Sequence, residues 1–83
     1  VLKQDQQTYL ALAQSYYYSD QIGPAIDAWQ KAAPLSKDGE TYLNLAKVLW
    51  QEDRIPEAKT AARAALEKGI KKPEDAKKII ALP

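Results

Sequence analysis

Residues 9–17 read YLALAQSYY and residues 42–50 read YLNLAKVLW. The two segments lie 33 positions apart and align without a gap. Tyr9, Leu12, Ala13 and Tyr16 fall on Tyr42, Leu45, Ala46 and Leu49, spaced i, i+3, i+4, i+7 in both copies. That spacing puts four apolar side chains on one stripe of an α-helix. The same offset sets Ile22 on Ile55, Ala25 on Ala58, Trp29 on Ala62 and Ala32 on Ala65. A further step of 34 sets Tyr42, Leu45 and Ala46 on Ala76, Ile79 and Ile80. A period in this range marks stacked supersecondary units. The chain therefore reads as two full repeats, about 6–38 and 39–72, followed by one more helix at about 73–82.

Turn chemistry divides each repeat into two helices. Asp5 is the expected N-cap of the first. Ser19-Asp20-Gln21 forms its closing turn, and Gly23-Pro24 opens the second helix, where a proline loses no hydrogen bond. Pro34 stops that helix. Asp38 or Gly39 caps the third, Glu52-Asp53-Arg54 turns the chain with an ion pair inside the turn, and Pro56 opens the fourth. Gly69 ends the fourth helix, and Pro73 with Glu74 and Asp75 starts the fifth. The expected helices are 7–19, 23–33, 40–52, 56–68 and 73–82. Short turns force neighbouring helices to run antiparallel. The fold expected is an all-α, right-handed solenoid of antiparallel helix pairs, with no strand.

Composition agrees. Ala occurs 14 times in 83 residues, against three Gly and five Pro, which is helix-forming usage. There is no Cys and no His, which removes disulfides, the usual zinc ligands and most nucleophile–base pairs. A net charge of +1 leaves no electrostatic footprint for nucleic acid. No run is long and apolar enough for membrane insertion. Ser15 and Asp20 share no helix face with a base, so no enzyme activity, cofactor or metal is expected. The first residue is Val rather than Met, and Val1-Leu2 read as the end of a preceding helix, so a longer parent protein is expected.

These residues resemble the tetratricopeptide repeat family, whose pattern is W-x2-L-G-x2-Y, then A-x3-F-x2-A, then P. The first repeat supplies Tyr9-x2-Leu12-Ala13-x2-Tyr16 and Ala25-x3-Trp29-x2-Ala32; the second supplies Tyr42-x2-Leu45-Ala46-x2-Leu49 and Ala58-x3-Ala62-x2-Ala65. The resemblance implies that Ala13, Ala25, Ala46 and Ala58 sit where paired helices approach most closely. It also implies that residues 73–82 form a terminal capping helix. The family Pro is missing at the junction of the two repeats, and Ala62 stands where a large residue is usual.

In that family the first helices of successive repeats line a concave groove that binds a peptide or partner protein. Leu10, Gln14 and Tyr17 on the first helix, and Leu43, Lys47 and Trp50 on the third, have matching i, i+4, i+7 spacing off the core stripe. The resemblance places them in the groove, with Leu10, Tyr17, Leu43 and Trp50 as a partly exposed ladder and Gln14 and Lys47 as polar contacts. The alternative is that Tyr17 and Trp50 only fill the inner surface. Tyr18 is expected to cover the helix junction. Asn44 matches one residue of the carboxylate clamp that some family members carry, but Leu10 and Gln14 stand where the clamp has Lys and Asn.

The charge divides unevenly. Residues 41–83 carry nine bases and six acids, against three and five in residues 1–40. Lys68, Lys71, Lys72, Lys77 and Lys78 read chiefly as a solvated face. The fifth helix offers Ala76, Ile79 and Ile80 to the stripe Ala58, Ala62, Ala65 and Leu66, to dock there as a cap or to swap and cap a second chain. The N-terminal edge around Tyr9, Tyr16 and Ile26 has no such cover, which makes it the expected face for a homodimer or for a preceding repeat. A second reading of function follows: a self-association segment that caps or extends a longer array. The tail is similar in composition to those of bacterial cell-envelope repeat proteins.

Overall fold

The computed structural model describes residues 6–83; Asp5 and Val1-Leu2 lie outside them. The described chain is helical and has no strand. Helix α1 spans Gln6–Tyr18, α2 Ile22–Ala32, α3 Glu40–Gln51, α4 Ile55–Lys68 and α5 Pro73–Ile80. A single 3-10 turn, Ala33–Leu35, follows α2. Pro34 thus ends the α-helix without ending the helical path. Among the described residues, no helix is long and apolar enough to cross a membrane.

The two helix-reversing turns are copies of one another. The Asp20 N–H donates to the Tyr17 carbonyl at 3.1 Å and the Gln21 N–H to the Tyr16 carbonyl at 2.8 Å. The Asp53 N–H donates to Trp50 at 3.0 Å and the Arg54 N–H to Leu49 at 2.8 Å. This paired pattern is the Schellman motif, which needs a left-handed residue after the helix. Asp20 and Asp53 supply it, with φ of 63° and 61°. Aspartate tolerates that region better than most residues, though less readily than glycine. Arg54 bonds forward to Glu57 at 3.0 Å, not to Glu52 or Asp53, and this hydrogen bond raises its pKa.

α1 packs on α2 and α3 on α4, while α2 lies against α3, and α5 rests on α4 and α3. Ala13, Ala25, Ala46, Ala58, Ala62 and Ala65 are fully buried. Their small side chains let the helix backbones come close, and Ile26, Leu49 and Ile79 fill the space between. Ala76 and Ile79 bury the inner face of α5, as their spacing predicts. Ile26 is a core residue, so it does not belong to the N-terminal edge. Leu12 also departs from its expected place: it is 43 % exposed. Tyr9, Tyr16 and Tyr42 are half-buried.

A polar cluster ties the helix pairs together. The buried Ser36 hydroxyl lies 2.8 Å from Thr41 Oγ1 and accepts from Gln6 Nε2 at 2.9 Å. Lys68 Nζ donates to the Ser36 carbonyl at 2.6 Å, at the end of the 3-10 turn, where unpaired carbonyls favour a cation. Lys68 is therefore not part of a merely solvated basic face. The Gly39 N–H donates to the Gly69 carbonyl at 2.8 Å, and the Lys71 N–H to Glu40 Oε2 at 3.1 Å. Gly39 sits at the N-terminus of α3 against the backbone of Ala65, where a Cβ would collide with the Ala65 carbonyl.

Candidate peptide-binding surface

The seven residues read from the sequence as a groove separate into two groups. Leu10 and Tyr17 are half-buried and pack against the core. Leu43 is only 4 % exposed, which corrects the expectation that it lines an open surface. Its position on α3 turns it toward the core beside Leu45 and Ala46. Gln14, Asn44, Lys47 and Trp50 face outward.

Tyr17 acts mainly as a strut. Its ring meets Trp29 edge-on at 5.6 Å between centroids, and its hydroxyl donates to Gln51 Oε1 at 3.3 Å. The aromatic contact fastens α1 to α2, and the hydroxyl ties α1 to the end of α3. Tyr18 is 84 % exposed, touches Tyr17 edge-on at 6.0 Å, and leaves the junction uncovered.

Trp50 occupies the equivalent place one repeat later, yet it is 44 % exposed. Two sequence differences explain this. The residue corresponding to Trp29 is Ala62, so α4 offers no ring for Trp50 to pack on. In the 34-residue step that relates α3 to α5, α5 over 73–80 corresponds to 39–46, so α5 has no counterpart to the last turn of α3. The result is an open depression lined by Lys47, Trp50 and Gln51. With Asn44 these residues form an outward stripe at i, i+3, i+6 and i+7 along α3.

Lys47 Nζ lies 3.7 Å from Asp75 Oδ2 on α5. Both groups are solvent-accessible, and such a pair contributes at most about 1 kcal/mol. Lys47 can therefore exchange Asp75 for an arriving carboxylate at little cost. Gln51 was not singled out by the sequence reading. Its position four residues after Lys47 is the signal that would have found it.

Comparison with known proteins finds no match: no family model, no curated protein and no solved structure aligns with this chain.

Proposed function

We propose that the chain is a protein–protein interaction module of the tetratricopeptide repeat type, and that it binds an extended peptide across the outward stripe of α3. The observation that carries this reading is the half-exposed Trp50 beside Lys47 and Gln51. A large ring held open to solvent on a rigid helix loses little freedom on binding, and tryptophan is enriched among residues that dominate binding energy. Trp50 is the apolar anchor, Lys47 takes a carboxylate of the peptide, and Asn44 and Gln51 bond its backbone. Gln14 is the outward polar group that α1 contributes. The recurrence of one turn geometry 33 residues apart supports the repeat assignment.

The test is selection of displayed random dodecapeptides on the folded chain, followed by fluorescence titration of the selected peptides. Selected peptides should combine an apolar residue with an acid and should shift the tryptophan emission. Trp50→Ala should weaken binding by about 30-fold, a typical hot-spot effect. Lys47→Glu should remove the preference for acidic peptides. Peptides that bind Trp50→Ala as tightly as the parent would overturn this site.

A further inference from the structure

The second open face of the molecule lies at the other end. Tyr9, Leu12 and Tyr16 on α1, with Pro24, Asp27, Ala28 and Lys31 on α2, line a depression between the two helices. The chain itself shows what such a face is shaped for. Tyr9, Leu12, Tyr16 and Ala28 correspond one repeat later to Tyr42, Leu45, Leu49 and Ala61. There the stripe is closed: Leu45 is 4 % exposed and Leu49 is buried, with α2 packed against α3. The same surface at the first repeat leaves Leu12 43 % exposed. The face is a helix-packing interface with one side missing.

We infer that a second copy of this chain covers it, the two copies meeting through this same face about a twofold axis. Two features select that occupant. A head-to-tail contact would use the far side of α3 and α4, and α5 already lies there. The face also carries Asp27 and Lys31, opposite charges four residues apart on α2. Residues i and j of a twofold interface meet j and i of the partner. With each Asp27 set opposite the other copy's Lys31, one face supplies both halves of two ion pairs. The pairs flank an apolar centre of Leu12, Tyr9 and Tyr16, a polar rim around an apolar core. Lys31 Nζ already stands 5.9 Å from the centre of the Tyr9 ring, at the edge of that centre. This face is separate from the Trp50 stripe, and neither reading depends on the other.

Sedimentation equilibrium on the whole chain, from about 10 µM to 1 mM, spans the range in which a small interface of this kind is populated. The parent chain should be dimeric at the upper end. Leu12→Arg should be monomeric throughout, with unchanged circular dichroism and, at low protein concentration, unchanged melting, because Leu12 is not a core residue. Asp27→Lys and Lys31→Asp should each weaken the dimer, on the order of tenfold. An equimolar mixture of the two should recover it, because both ion pairs re-form between unlike chains. A parent chain that stays monomeric at the top concentration overturns the proposal. A dimer that survives Leu12→Arg, or one that ignores both charge changes and their mixture, overturns the twofold pairing.

Discussion

The Lys68 ammonium lies 2.6 Å from the Ser36 carbonyl oxygen, across 32 residues of chain. It closes the end of the 3-10 turn from the last turn of α4 and so joins the two helix pairs. Lys68→Ala should destabilise the chain by about 1.5–2 kcal/mol, the lower end of the range for a hydrogen bond to a charged group, because the Lys68 side chain is exposed. Lys78→Ala, on the exposed side of α5, should stay within about 0.5 kcal/mol of the parent. Urea denaturation of the two variants measures the difference, and equal midpoints would return Lys68 to the solvated face.

Leu12 and Leu45 make a controlled pair, since they are chemically identical and equivalent in the repeat. Leu45→Ala should cost about 2–5 kcal/mol as a buried large-to-small change. Leu12→Ala should cost well under about 1 kcal/mol in the monomer, because little area leaves water at that site. Thermal melts at low protein concentration check this. A large loss at Leu12 would mean that its face is covered even in the monomer.

The left-handed residues of the two turns predict a gain. Asp20→Gly and Asp53→Gly relieve a conformation that costs a non-glycine residue roughly 1 kcal/mol. Part of that is returned as extra entropy of the unfolded chain. Each variant should therefore be equal to the parent or more stable by a few tenths to about 1 kcal/mol. Asp53→Val should instead lose about 1–3 kcal/mol, because a β-branched side chain resists that backbone region. Chemical denaturation that ranks valine above glycine at position 53 would contradict the turn geometry.

Glycines 23 and 39 should respond in opposite directions to alanine. A Cβ at Gly23 meets nothing within 4 Å, and the residue lies in the first turn of α2. Gly23→Ala should be neutral or stabilise by up to about 1 kcal/mol. At Gly39 a Cβ would strike the Ala65 carbonyl, and moving the backbone away would stretch the Gly39–Gly69 hydrogen bond. Gly39→Ala should lose at least about 2 kcal/mol through that clash. Amide exchange at residue 39 would report the loosened junction directly.

The helices and turns were legible in the sequence because their signals are local. Apolar spacing, prolines and Gly69 placed five helices to within about two residues of their observed ends, the scatter expected for helix boundaries. The burial of Ala13, Ala46, Ala25 and Ala58 followed from the pattern for the same reason. What the sequence did not show was which faces find a neighbour. Periodicity puts Leu12 and Leu45 on equivalent stripes, but their exposure depends on whether another helix lies in front of them. Leu43 failed in the opposite sense. It sits just off the stripe, yet it is as buried as Leu45 and belongs to the same core. Ser36 and Lys68 carry no pattern at all. Their partners are about thirty residues away, and only the folded path brings the 3-10 turn under the end of α4. At the candidate site, Trp50 was found by its register with Tyr17. Its openness depends on Ala62 and on the shortness of α5, two differences between repeats that a search for similarity passes over.

The hydrogen bonds that link one helix pair to the next span 30 to 34 residues: Gln6 to Ser36, Tyr17 to Gln51, Lys71 to Glu40 and Lys68 to Pro34 and Ser36. Each is a loop closure of about one repeat, and closure entropy grows only as the logarithm of loop length. The chain can therefore assemble through successive closures of similar size, each made once the hairpin before it is in place. Most of the helix packing is between helices adjacent in sequence, and all-helical chains of that kind lie at the fast end of folding, in the microsecond-to-millisecond range. Ser36 sits where these closures meet: Thr41 is five residues away, Gln6 reaches it once the first hairpin has formed, and Lys68 only once the second has. The Lys68 contact, the one of these that needs both hairpins, is then the expected first loss on unfolding, and it lies at the boundary between the repeats.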